Sequence, residues 1–361
     1  MQGSVGHSTA GRSGIAQRPG DTNESHAEGL IRLGRSEVRC RPLGVGAWSW
    51  GDRLFWGYGR GYGEAEVQGA FEASIASGVT LIDTAEVYGL GQSERLLGGF
   101  IREAGAPGQG ADPEGSGQGA GDHVVPSVAP IVATKFLPLP WRLRHGDLVK
   151  ALRGSLKRLG LERVDLYQLH FPLPLLTVDA RMDALASAVE AGLARAVGVS
   201  NYGAADLRKA HYALARRGIP LASNQVQYSL AHRRPERDGM AEACRDLGVT
   251  LIAYSPLGMG ALTGKYGVQR PLPGVRGRQY GRRRLEEMQP LLDAMGQLGA
   301  VHGGASVPQV ALNWLLCKGT VPIPGAKNAR QAQENAGALG WRLAPEEVAK
   351  LDHLSGGVGE S

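Results

Sequence analysis

A tyrosine hydroxyl has an unperturbed pKa of ~10 and is a weak acid at neutral pH unless a neighbouring charge changes it. The stretch LIDTAEVYG, residues 81–89, carries Asp83 and Tyr88 behind an apolar pair; IVATKF carries Lys135, and VDLYQLH ends on His170. An ammonium at Lys135 beside the Tyr88 hydroxyl would stabilise the phenolate and lower that pKa. Asp83 would supply the counter-charge that a buried lysine needs to stay protonated. His170 would then hydrogen-bond a substrate oxygen held near Tyr88. Such a set suits a carbonyl oxygen that gains negative charge and then a proton, as in hydride addition to C=O. None of these side chains is a hydride donor, so the chemistry calls for a bound one. Glu86, in the same stretch, reads as a loop carboxylate.

For these residues to meet, the fold must bring distant segments to one place. Short β-branched runs alternate with longer amphipathic ones, the pattern of repeated βα units. Strands are expected over 43–47, 80–83, 131–134, 164–169, 196–199, 223–226, 250–253 and 321–323. Helical patterns follow over 64–77, 92–103, 147–159, 178–191, 204–217, 236–247, the pair 284–301 and 306–317, and 328–338. Eight such units predict an α/β fold, a closed (β/α)8 TIM barrel in a single domain, with an open doubly wound sheet as the alternative. In a barrel, active sites gather where strands run into their following loops. Asp83, Lys135, His170, the pair Ser200 and Asn201, and Gln225 all fall at such positions and would face one mouth. Singly, each has an ordinary reading, a helix cap or a satisfied structural residue. Their convergence on one rim does not.

Composition narrows the alternatives. With 42% hydrophobic and 20% charged residues among 361, the chain is ordinary globular material. Its net charge of +6 suits an anionic small ligand, but no Lys/Arg run interleaved with aromatics points to nucleic acid, and GRRRL at 281–285 reads as a solvated loop. Cys40, Cys244 and Cys317 are odd in number and lack CxxC spacing, which supports neither disulfides nor a zinc site and reads as a reducing compartment. No apolar run approaches the roughly 18 residues of a membrane span, so a soluble protein is expected. GVGAWS at 44–49 has Ser49 where a third fingerprint glycine would stand, so a dinucleotide must be held in some other way. Residues 1–29 lack periodicity and are expected to be disordered; their Ser and Arg fit a transit-peptide remnant, whereas Asp21, Glu24 and Glu28 do not. The barrel is expected over 30–355 with a flexible Gly-rich insertion at 105–122, leaving 356–361 as a tail. The aromatic stretch WSWGDRLFWGYGRGY and Trp141 are expected to line an apolar substrate pocket, through Trp50, Trp56 and Trp141.

The motifs LIDTAEVYG, VATKF, DLYQLH, GVSNY, NQVQYS, IAYSPLGMGALTGK and IPGAKNARQAQEN, in this order, together resemble the aldo-keto reductase superfamily from about residue 30 to residue 355. GAWSWGD, LPWR and GIPLASNQVQYSL are similar to its plant and algal chloroplast branch. The resemblance implies the (β/α)8 barrel, a catalytic tetrad of Asp83, Tyr88, Lys135 and His170, and NADPH as cofactor. By the same resemblance Ser200, Asn201 and Gln225 match positions holding the nicotinamide carboxamide, and Tyr254 the ring stacked on its face. Ser255, Leu257 and Gly258 match the loop at the pyrophosphate, with Lys265 adding charge, and Gly325, Ala326, Lys327, Gln331, Glu334 and Asn335 match the adenosine end. Where many relatives carry an arginine for the 2'-phosphate this chain has Gln331, so preference for NADPH rests mainly on Lys327. The implied activity is reduction of an aldehyde or ketone in the plastid, with a cytoplasmic location as the alternative. Pyridoxal, lipid-derived aldehydes and sugar aldehydes are all compatible. A second reading is a nucleotide-binding accessory subunit, because potassium-channel β subunits resemble the same family. Oligomeric state is not set by any of these features.

Overall fold

The computed structural model describes residues 29–105, 129–142, 144–172 and 175–356. The expected disordered segment falls outside the described residues except for Gly29, as does the Gly-rich insertion except for Gly105 and the tail except for Gly356. A short antiparallel hairpin, β1 (Ile31–Arg32) and β2 (Arg39–Cys40), precedes the barrel. The barrel strands are β3 (Gly44–Gly46), β4 (Leu81–Asp83), β5 (Ile131–Phe136), β6 (Val164–Leu169), β7 (Ala194–Ser200), β8 (Leu221–Gln227), β9 (Thr250–Tyr254) and β10 (Val321–Ile323). Each pairs in parallel with the next in chain order. The ring is drawn together where the Gly46 N–H donates to the Pro324 carbonyl at 3.0 Å beside a parallel bridge between Gly46 and Gly325. Helices cover the outside: α1 (Glu64–Ala76), α2 (Gln92–Glu103), α3 (His145–Leu159), α4 (Val178–Glu190), α5 (Ala204–Ala215), α6 (Arg234–Arg237), α7 (Met240–Leu247), α8 (Val275–Gln279), α9 (Arg282–Val301), α10 (Val307–Cys317), α11 (Ala329–Ala336) and α12 (Pro345–Gly356).

The TIM barrel read from the sequence is therefore the fold, with all eight strands close to their expected places. Four elements differ. The hairpin β1–β2 and helices α8 and α12 were not anticipated, and the helix expected over 236–247 is two pieces, α6 and α7, parted at Gly239 with φ of 71°. A glycine in that left-handed conformation carries no Cβ penalty, so the break falls there.

Strand residues point alternately to the two faces of a sheet, and this period of two builds the site. Ile82, Val132, Tyr167 and Val197 point outward into the apolar layer beneath the helices, where Phe71, Leu97, Leu152 and Leu185 meet them. Their neighbours Leu81, Ala133, Leu166, Ala196, Ala222 and Ile252 point inward and form a separate apolar cluster with Leu33, Val38 and Cys40 of the hairpin, which closes the floor of the barrel. Two residues further along three of these strands, the inward positions are Asp83, Lys135 and Gln168, all buried. The interior thus changes from apolar to ionisable within one step of the pleat.

Candidate active site

Asp83 ends β4, Lys135 lies near the end of β5, and His170 follows β6, while Tyr88 sits in the loop leading from β4 to α2. Lys135 Nζ donates to the Asp83 carboxylate, to the Thr84 carbonyl at 2.9 Å and to the Tyr88 hydroxyl at 3.2 Å. The ammonium is wholly buried and Asp83 nearly so. Removing two charges from water is costly unless their remaining hydrogen-bonding capacity is filled. Here it is. The ammonium has three acceptors, and Asp83 Oδ1 also accepts from Gln225 Nε2 at 2.7 Å and Gln168 Nε2 at 3.2 Å.

The charges act in opposed directions. Burial is the largest influence on Tyr88 and raises its phenol above the usual value; the Lys135 ammonium pulls it back, and Asp83 adds to the rise. The net lowering expected from Lys135 does not occur, because a phenolate in this site loses more solvation than one ammonium restores. Lys135 itself is drawn down by burial, but Asp83 and then Tyr88 outweigh that and hold it above its usual value. The result at neutral pH is a protonated phenol beside a protonated lysine.

His170 faces the same phenol edge-on, with ring centroids 5.8 Å apart. Burial first, and the Lys135 charge second, lower its pKa to about 3, so the imidazole is neutral. Its Nδ1 is buried with no hydrogen-bond partner among the described residues. The backbone on either side is pinned, since the His170 N–H donates to the Phe136 carbonyl at 2.9 Å and the His170 carbonyl accepts from Asn201 Nδ2 at 3.0 Å.

A cleft of about 620 Å³ opens over these residues, with Asp83, Tyr88 and His170 in its wall and Lys135 behind it. At this end Ser200 Oγ donates to the Gln225 carbonyl at 2.7 Å, and the Tyr254 hydroxyl donates to Asn201 Oδ1 at 3.1 Å. Asn201 and Ser255 both hold positive φ, 61° and 50°, a conformation uncommon for residues with a side chain and found where surrounding structure enforces it. The far end is lined by Leu257, Lys265, Gly325, Lys327, Gln331, Glu334 and Asn335. Lys327 Nζ donates to the Trp56 carbonyl at 3.0 Å and lies 4.3 Å from the Tyr62 ring centroid, and burial, then Arg276, lowers its pKa. Gln331 accepts from the Lys327 N–H at 2.9 Å. Gly258 and Ala326 are buried and do not reach the cleft wall.

Of the three tryptophans expected to line a substrate pocket, only Trp56 does. Trp50 is fully buried in the core against Phe100, its Nε1–H satisfied by the Ala326 carbonyl at 2.8 Å. Trp141 is 76% exposed and outside the cleft. Trp48 takes the place assigned to Trp50: it lines the cleft and stacks on Tyr88 at 6.2 Å. Because two positions along an extended chain share a face but a 3-10 turn intervenes at 47–49, alternation could not separate Trp48 from Trp50. Arg276, in the cleft wall, and Gln168, buried behind it against Asp83, are further groups of the site that the sequence reading missed. Gln168 stands two residues before His170 in a strand of known parity and was findable; Arg276 lies in α8, a helix of five residues, too short to show a period in the sequence. Glu86 grips Arg142 through both oxygens, at 2.7 and 3.1 Å, and accepts from the Leu137 N–H. It ties the Tyr88 loop to the segment after β5.

The donor set fits a dinucleotide. Amide and hydroxyl groups of Ser200, Asn201 and Gln225 gather beside the tyrosine, and the cations Lys265, Arg276 and Lys327 line the same cleft away from it. No group of three or more His, Cys, Asp or Glu able to hold a metal occurs among the described residues.

Comparison with known proteins agrees with this architecture. The Aldo/keto reductase family profile matches residues 42–355. The chloroplastic pyridoxal reductase of Arabidopsis thaliana is 44% identical, over 90% of this chain and 85% of its own length. The solved glycerol dehydrogenase AKR11B4 of Gluconobacter oxydans superposes with a TM-score of 0.73 at 25% identity, covering 91% of this chain and 95% of that one. A thermostable aldo-keto reductase, Tm1743, solved with the inhibitor epalrestat, gives 0.68 at 30% identity over 90% and 99%.

Proposed function

This chain belongs to the aldo/keto reductase family and is an oxidoreductase, and on that premise we propose that it reduces an aldehyde to the alcohol with NADPH, Tyr88 being the proton donor. The observation that carries the reading is the Tyr88 hydroxyl at 3.2 Å from Lys135 Nζ, at the wall of a cleft that His170 shares. NADPH, when bound, supplies the hydride. The protein's own part is the proton and its placement.

Tyr88 enters the reaction as a neutral phenol, the form that donates. As its proton leaves toward the carbonyl oxygen, negative charge grows on the phenolic oxygen beside Lys135. That ammonium is already in place and already held by Asp83, so no reorganisation is needed at that moment. His170, neutral, offers a ring nitrogen to the same carbonyl oxygen and aligns it without competing as an acid. Ser200, Asn201, Gln225 and Tyr254 would hold the nicotinamide end, Ser255 and Leu257 with Lys265 the phosphates, and Lys327 with Arg276 the adenosine phosphate that Gln331 cannot pair with.

The substrate we propose is an aldehyde on a planar ring. Trp48 stacked on Tyr88, Trp56 perpendicular to it, and the exposed edge of Phe171 make an aromatic wall beside the proton donor. The relative named pyridoxal reductase supports that class, and its chloroplastic label supports a plastid location. The test is NADPH oxidation by the purified protein against pyridoxal, 4-nitrobenzaldehyde and a straight-chain aldehyde. Turnover favouring the ring aldehydes is expected. Tight NADPH binding with no turnover on any of them would refute a reductase and favour an accessory subunit.

A further inference from the structure

We propose that a second cavity, on the outer flank of the barrel between α3 and α4, binds a small amphiphilic anion, a carboxylate or phosphate carried on an apolar body. The cavity measures about 430 Å³ and shares no lining residue with the cleft above Tyr88. That volume lies in the usual range of small-ligand sites.

Its two halves differ in chemistry. Phe136, Leu148 and Leu169, all buried, form an apolar floor. Around it stand Arg142, Arg144, Arg181 and Arg217, against a single carboxylate, Asp183. Two of these guanidinium groups are already neutralised: Arg142 by Glu86, and Arg217 by Asp183 and Glu190. Arg144 and Arg181 pair with no carboxylate among the described residues.

Arg181 points to the ligand. It is only 6% exposed, its Nε–H donates to the Thr177 carbonyl at 3.3 Å, and its guanidinium lies 5.2 Å from the Tyr202 ring. Its Nη1 is buried without any acceptor among the described residues. A buried charged donor left unpaired is costly, and the planar guanidinium is shaped to take the paired oxygens of a carboxylate or phosphate. The apolar floor would hold the body of such a molecule, and Arg144 at the rim would complete its charge balance. The site is independent of the reductase reading, because neither its residues nor its test involve Tyr88.

The experiment is calorimetric titration of phenyl phosphate into the full chain, with phenol and inorganic phosphate as controls, repeated on Arg181→Gln, Ala184→Trp and Lys327→Gln. Ala184 is a half-buried residue of the cavity wall, so a tryptophan there fills the space while leaving the charges alone. The expected result is a binding event that weakens about tenfold or more in Arg181→Gln and vanishes in Ala184→Trp. Lys327→Gln, in the other cleft, leaves that event unchanged, and phenol and inorganic phosphate bind more weakly. Should Arg181→Gln fail to fold, Ala184→Trp still decides the matter. Absence of binding at millimolar phenyl phosphate, or binding indifferent to Ala184→Trp, overturns the proposal.

Discussion

Lys135 Nζ holds the Tyr88 hydroxyl at 3.2 Å with the same ammonium that is bound by the Asp83 carboxylate. One buried charge thus serves both the fold and the phenol, and removing it should affect both. Among the described residues, Lys135→Met leaves Asp83 buried with only amide donors, Gln225 and Gln168. Breaking a buried ion pair in this way costs about 3–5 kcal/mol. Urea denaturation should show a loss of that order, with Asp83→Asn/Lys135→Met regaining part of it. An unchanged midpoint in the single variant would contradict the pairing.

His170 should make the protein sensitive to acid. Its folded pKa of about 3 lies below the unfolded value of ~6.5, so on acidification the unfolded chain takes up the proton first. The stabilising effect is whole above ~6.5 and is lost as pH falls toward 3, at up to about 1.4 kcal/mol per pH unit. The comparison is unfolding free energy against pH for the native chain and His170→Asn, in which the slope should be shallower. Parallel curves would show that the imidazole is not held neutral.

Much of this site was legible in the sequence, for a definite reason. Asp83, Lys135 and His170 lie on or directly after strands, where a period of two and the polarity of a parallel barrel fix both the face and the end on which a side chain stands. Tyr88, in a loop, was picked out by its closeness to Asp83 in the chain and its phenol chemistry, and then by motif resemblance, not by periodicity. The hairpin that closes the barrel floor was hidden because its strands are two residues each, too short to show alternation. The direction of the Tyr88 shift was missed because it depends on how much water the folded site excludes, which charge pattern alone does not report.

The two neighbouring tryptophans should separate stability from binding. Trp50→Ala empties a fully buried site and should cost about 3–5 kcal/mol in thermal or chemical unfolding. Trp48→Ala should leave stability nearly unchanged and raise KM for ring aldehydes more than for straight-chain ones. The reverse assignment of effects would place Trp50, not Trp48, against substrate.

Cofactor preference should depend on Arg276 as well as Lys327. Both line the cleft, 5.5 and 5.1 Å from the Trp56 ring, and Gln331 brings no charge of its own. Arg276→Gln should weaken NADPH binding by about tenfold, with NADH affected much less, as read by quenching of protein fluorescence. An equal loss for both dinucleotides would indicate that Arg276 does not meet the 2'-phosphate.

The assignment of Tyr88 as proton donor is tested most directly by Tyr88→Phe, with NADPH affinity and pyridoxal reduction measured on one preparation. The substitution removes a single hydroxyl whose one hydrogen bond among the described residues is to Lys135. NADPH affinity should stay within a few-fold of the native value while kcat falls by about 10²-fold or more. Unimpaired reduction by the variant would contradict the account at its centre, because the proton would then have to come from another group.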